Sequence, residues 1–128
     1  EALKVNSSVT TINLIQNNLG NEEAEALAEA LKMNSSVTTM GLGLNQIGPE
    51  GAQALAEAVK VNSSDSMTTI ELRSTGIGPT GAQALAEAMK VNSSVTKIDL
   101  RGNRIGPEGA QALAEALKCT RDRGRVNS

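Results

Sequence analysis

The stretch Val95–Lys118, VTKIDLRGNRIGPEGAQALAEALK, decides how the chain folds. Its first half alternates apolar and polar residues, as a half-buried strand does. Its second half sets Ala and Leu at helical spacing. The same stretch, with edits, occurs three more times. The tripeptide Asn-Ser-Ser begins at Asn6, Asn34, Asn62 and Asn92, at spacings of 28, 28 and 30 residues. After each comes apolar-x-x-apolar-x-apolar-x-x-Asn-x-apolar. The copies read Val9, Ile12, Leu14, Asn17, Leu19; Val37, Met40, Leu42, Asn45, Ile47; Met67, Ile70, Leu72, Thr75, Ile77; and Val95, Ile98, Leu100, Asn103, Ile105. A fixed period of this kind means that each unit cannot bury its apolar face alone and stacks on its neighbours into one continuous core.

The pattern resembles the leucine-rich repeat family, in its ribonuclease-inhibitor-like class of about 28 residues per repeat. The resemblance runs from residue 1 to about residue 118. It implies an α/β leucine-rich-repeat solenoid, a horseshoe segment with parallel strands on the concave face and helices on the convex face. The expected organisation is a repeat array over 1–118, of about four repeats, and a basic C-terminal tail over 119–128. The first helix reads as truncated, because EALK at the start matches Glu115–Lys118. The chain therefore reads as a piece of a longer array or a processed chain, and missing targeting signals carry little weight.

Composition narrows the function classes. The net charge of −2 supplies no global field toward nucleic acid, and Phe, Trp and Tyr are absent, so no base-stacking platform exists. No apolar run approaches the roughly 20 residues that span a bilayer. The chain holds no His, which excludes a Ser-His-Asp triad, a Cys-His nucleophile and His-based zinc sites. Cys119 is the single cysteine, so a disulfide framework is impossible and a reducing, cytoplasmic setting is favoured. The Asn-Ser-Ser tripeptides match the N-glycosylation pattern, but a turn repeated for the fold explains them better. GLGLNQIG at 41–48 has its third glycine misplaced for a dinucleotide loop and no Lys-Ser/Thr after it. No enzyme activity, cofactor or metal is expected.

Within the repeats, the resemblance assigns Asn17, Asn45 and Asn103 to a buried turn, bonding backbone of their own and the adjoining repeat. A carboxamide can do this because it both donates and accepts. Repeat three departs from the pattern with Thr75 in that place and with Asp65 and Ser66 inserted before its strand. That departure reads as drift in a loop or as a local change of curvature that shapes a site. Pro49, Pro79 and Pro107 suit the first helical turn. Glu29/Lys32, Glu57/Lys60, Glu87/Lys90 and Glu115/Lys118 read as solvated pairs on the convex face. Arg121, Arg123 and Arg125 read as part of a loose, solvated tail, or as a basic contact arm.

Function must then lie on the open side of the sheet, where alternate strand residues face away from the core. The expected partner-binding residues are Asn13, Ile15, Leu44, Glu71, Arg73, Lys97, Asp99, Arg101 and Arg104. Gly41 and Gly43 complete a weakly apolar floor beside Ile15 and Leu44. Adjacent parallel strands set Glu71 beside Asp99 and Arg73 beside Arg101, and each like pair is expected to be relieved by a diagonal opposite charge. The repeats look like those of NOD-like receptors and ribonuclease inhibitor, which implies a protein-protein interaction module with a protein partner. The alternatives are a regulator like the Ran GTPase-activating protein, acting on a small GTPase, or a scaffold segment of a larger receptor-like protein. No nucleic acid or membrane is expected as a partner. End-to-end self-association through uncapped repeats is expected.

Overall fold

The structure is a computed structural model and describes residues 10–33, 36–61, 68–91 and 95–127, with side chains as far as residue 118. The strand half and helix half of each repeat fold as their periods dictate. Strands β1 (Thr11–Asn13), β2 (Thr39–Gly41), β3 (Thr69–Glu71) and β4 (Lys97–Asp99) alternate with helices α1 (Asn21–Met33), α2 (Gly48–Val61), α3 (Gly78–Val91) and α4 (Gly106–Asn127). The strands form one parallel sheet in the order β1-β2-β3-β4. The helices pack side by side on its other layer, each against the next in sequence. This is the expected α/β solenoid.

One core runs through the stack. Met40, Leu42, Ile47, Leu55, Ile70, Leu72, Ile77 and Leu85 are buried at the same repeat positions. Burial of a side chain of this size contributes about 1.5–3 kcal/mol. In the outer repeats Ile12, Leu14, Leu19, Ile98 and Leu100 are only partly buried and pack onto that core. The alanines let neighbouring helices approach closely. A Cβ added at Gly81 would lie 3.0 Å from Ala52 Cβ and 2.6 Å from Ile77 Cβ, so the first turn of α3 has room only for hydrogen.

The strands are shorter than their alternation suggests. Inter-repeat bonds continue past them, from Leu14 N to Gly41 O, Leu42 N to Glu71 O and Leu72 N to Asp99 O, each at 2.8 Å. The chain then turns at once, with Gln16, Leu44 and Ser74 in the left-handed region at φ 60°, 58° and 52° and Gly102 at 72°. Two further expectations differ. Backbone helix continues past Lys118 to Asn127, where the sequence suggests a loose tail; no proline interrupts it, and only Gly124 opposes it. On the convex face, Lys32 pairs with Glu29 at 2.9 Å and Lys90 with Glu87 at 3.3 Å, while Glu57/Lys60 and Glu115/Lys118 do not close. Residues 1–5, the inserted Asp65 and Ser66, the four tripeptide asparagines and the side chain of Cys119 lie outside the described residues.

Candidate functional site

The strand face is built by register. Asn13, Gly41, Glu71 and Asp99 stand in one row across the sheet, and Thr11, Thr39, Thr69 and Lys97 in another. Of the expected residues, Asn13, Glu71 and Asp99 stand in the first row and Lys97 in the second, while Ile15, Leu44, Arg73, Arg101 and Arg104 follow the strands. Lys97, Arg101, Arg104 and Asn13 are exposed, whereas Ile15, Glu71, Arg73 and Asp99 are half-buried. Leu44 stands on the rim at 42% exposure.

The glycine floor is covered rather than open. Gly41 and Gly43 are buried. Ile15 lies against Gly41, where an added Cβ would meet its Cδ1 at 3.4 Å. Over Gly43 lies the carboxylate of Glu71, which accepts a hydrogen bond from Gly43 N at 3.0 Å. A Cβ on Gly43 would fall 2.6 Å from Glu71 Oε2. Gly43→Ala is therefore expected to expel that carboxylate and lower stability by about 1 kcal/mol, read as a drop in the urea midpoint; an unchanged midpoint would show the bond to be dispensable.

Charge on this face is paired within strands, not diagonally. Arg73 Nε sits 3.4 Å from Glu71 Oε2, and Arg101 Nη2 sits 2.8 Å from Asp99 Oδ2. Arg101 Nε also donates to Asp99 Oδ1 at 2.9 Å, making a two-pronged contact. The side-chain hydrogen bonds from Arg101, then its backbone N–H, hold the Asp99 carboxyl below the ordinary aspartate value, against a smaller opposing effect of burial. That extra stabilisation of the folded state is present above the unfolded-state value and is lost as pH falls through the lowered one. Both carboxylates also bind backbone, Glu71 at Arg73 N and Asp99 at Arg101 N, each at 3.2 Å. They hold the strand ends and the arginines in place. The face is left with four cations, Arg73, Lys97, Arg101 and Arg104, against two carboxylates, and Lys97 and Arg104 make no ion pair among the described residues.

Behind the face runs a ladder of turn amides. Asn45 Oδ1 accepts from Asn17 N at 2.8 Å and Leu19 N at 3.0 Å. Its Nδ2 donates to Leu14 O and Leu42 O, both at 2.9 Å, and to Gly43 O at 3.2 Å. Asn103 does the same between repeats three and four, binding Thr75 N, Ile77 N, Leu72 O, Leu100 O and Arg101 O. Both side chains are buried, at 4% and 3%. Asn17 is the exception to the expected burial: it is exposed and its side chain donates only to Ile15 O, at 3.2 Å. Within the described residues no strand precedes β1 to receive its other bonds.

A second ladder, which the repeat pattern alone does not assign, is made of threonine hydroxyls. Thr38, Thr68 and Thr96 each send a side-chain hydroxyl to the carbonyl of the matching Thr one repeat earlier, at 3.1, 3.1 and 3.4 Å, starting from Thr10. The signal was legible, since a Thr follows the first apolar residue of every repeat. Among the described residues no cluster of His, Cys, Asp or Glu could hold a metal ion. Among them also, no helix is long and apolar enough to cross a membrane.

Known proteins share this architecture. A family model described as "Leucine Rich repeat" matches residues 5–28, 34–56, 63–86 and 91–114, most of the chain. Among solved structures, one titled leiomodin-1 actin-binding site 2 superposes with a TM-score of 0.83 at 25% identity, covering 91% of this chain and 69% of that one. The tropomodulin C-terminal domain from Caenorhabditis elegans superposes at 0.71 with 14% identity, covering 98% and 93%, a likeness of fold alone. No curated protein matches the sequence.

Proposed function

We propose that this chain, which belongs to the leucine-rich repeat family, is a module that binds a protein partner on its strand face and catalyses nothing. The observation that carries this reading is the register. Asn13, Gly41, Glu71 and Asp99 share one row and differ at every step. The helices, by contrast, repeat GAQALAEA almost unchanged. A solenoid that fixes its core and varies one row has the means to encode specificity there. Asn13, Ile15, Leu44, Glu71, Arg73, Lys97, Asp99, Arg101 and Arg104 are the proposed contact surface, with the arginines as its principal charges. The array is read as 1–118 and the residues after it as a basic extension.

The strand-and-helix unit of about 28 residues supports the ribonuclease-inhibitor-like class, and with it a likeness to NOD-like receptor arrays. The lone cysteine supports a cytoplasmic setting. The likeness to a leiomodin actin-binding site supports actin as the first partner to test. Strands β1 and β4 are the open edges of the described sheet, which supports self-association of copies. One sedimentation-velocity series tests both. The chain is run alone over a concentration range and then with monomeric actin. A faster boundary with actin is the expected result; an unshifted boundary removes actin as the partner. A concentration-independent boundary for the chain alone removes self-association.

A further inference from the structure

The turn between repeats two and three lacks one atom that both neighbouring turns have. In repeats one and three, two backbone N–H groups converge on a single carboxamide oxygen from the next repeat: Asn17 N and Leu19 N on Asn45 Oδ1, Thr75 N and Ile77 N on Asn103 Oδ1. The corresponding groups of repeat two are Asn45 N and Ile47 N, and the residue facing them is Thr75. Its side chain is an atom shorter, and its hydroxyl lies 2.7 Å from Leu72 O and 3.0 Å from Asn103 Oδ1. Neither Asn45 N nor Ile47 N has a hydrogen-bond partner among the described residues. Yet both residues are buried, at 4% and 1%. Buried N–H groups in native proteins are nearly always paired.

The backbone of this turn also differs from the others. At the second turn position Asn18, Gly76 and Arg104 are left-handed, at φ 58°, 71° and 51°, but Gln46 is not. Its N–H instead donates to Leu19 O at 2.8 Å. Beside Asn45 opens a cavity of about 320 Å³ lined by Asn45, Gln46, Gly48, Ser74, Thr75 and Gly76. None of the six carries a charge, so nothing in the lining repels an anion.

We infer that this slot is a receptor for a carboxylate of the protein partner, an Asp or Glu side chain that supplies the oxygen Thr75 does not. The inference deepens the proposed function and rests on it. Hydrogen bonds from N–H groups to an ionised oxygen are shorter and stronger than those to a neutral one, so a carboxylate outcompetes an amide oxygen here. The strand face agrees in sign, since Lys97 and Arg104 in repeat four make no ion pair among the described residues and the cations outnumber the carboxylates. Docking closes the amide ladder from repeat one to repeat four.

The test needs no partner, so its outcome is separable from that of the actin experiment. Amide spectra of the labelled chain are followed as sodium acetate replaces sodium chloride at constant ionic strength, with acetamide as the neutral control. The expected result is a saturable downfield shift of the Asn45 and Ile47 amides with acetate and a weaker one with acetamide. Thr75→Asn fills the slot: both amides start downfield, acetate no longer moves them, and the denaturation midpoint rises. Amides that ignore acetate, that respond equally in Thr75→Asn, or a Thr75→Asn chain that is less stable, would each overturn the inference. An equal response to acetamide would overturn the preference for an acidic side chain.

Discussion

Asn45→Ala is expected to cost about 3 kcal/mol or more, while Asn17→Ala is expected to stay within about 0.5 kcal/mol of the parent. The two asparagines occupy the same place in the repeat, so the contrast isolates burial. Asn45 is 4% exposed. Truncating it strands the amides of Asn17 and Leu19 and removes a donor shared by the carbonyls of Leu14, Leu42 and Gly43. Each buried group left unpaired costs about 1–3 kcal/mol, far more than the net gain of making a bond. Asn17 is exposed and makes one side-chain bond, to a carbonyl that water can serve instead. Asn103→Ala should resemble Asn45→Ala, because it too spans two repeats. Urea unfolding read by circular dichroism measures all three. Equal midpoints for Asn45→Ala and Asn17→Ala would remove the ladder as a source of stability.

That contrast also marks how far the sequence could be read. The fold was legible because the period switches from two to 3.6 within each copy and the copies are in register. Four strands and four helices followed from that switch, and so did the rows of the open face. The buried amide role was legible for Asn45 and Asn103 but not its failure at Asn17. A repeat pattern assigns every copy the same neighbours, and only the folded stack shows which copy lies at an edge. The glycine floor misled for a related reason. Alternation says that Gly41 and Gly43 point outward, but not that Ile15 and Glu71 lean across to cover them. Charge pairing was misassigned because register fixes Cα positions, whereas an Arg two residues along its own strand can fold back onto the carboxylate. The hydroxyl ladder of Thr38, Thr68 and Thr96 is present in the sequence only as a repeated letter. Thr in a strand reads first as β-propensity, and its hydrogen bond depends on the neighbouring strand's carbonyl.

The in-strand pairs change what the arginines offer a partner. Exposed ion pairs contribute about 0–1 kcal/mol because water competes for both charges. The Arg101 side chain is 75% exposed while it clasps Asp99 at 23%. Such a clasp holds the guanidinium in one place without burying it. The cost of ordering a long side chain is thus partly met before a partner arrives. Arg73 is held more loosely beside Glu71, by one ion-pair contact at 3.4 Å, and is less exposed, at 40%. The carboxylates thus fix the cations of the face in addition to forming part of the proposed contact surface.

Reversing these two arginines should therefore do the most damage to binding. With actin, or with any other protein ligand established for the chain, Arg73→Glu combined with Arg101→Glu is expected to weaken affinity by about 30-fold or more. That corresponds to the roughly 2 kcal/mol that defines an interface hot spot. Each reversal also sets a new carboxylate beside Glu71 or Asp99, so the face turns from a cationic to an anionic surface. The control is Lys60→Glu with Lys90→Glu, an equal change in net charge on the helical side, expected to alter affinity less than about threefold, as screened long-range charge does. A neutral pair, Arg73→Gln with Arg101→Gln, separates contact from repulsion and should fall between. Circular dichroism must show all three folded. Titration calorimetry then decides: if the helical reversals weaken binding as much as the strand-face reversals, the partner does not dock on the strand face. If the neutral pair binds as the parent does, the arginines repel when reversed but make no contact of their own.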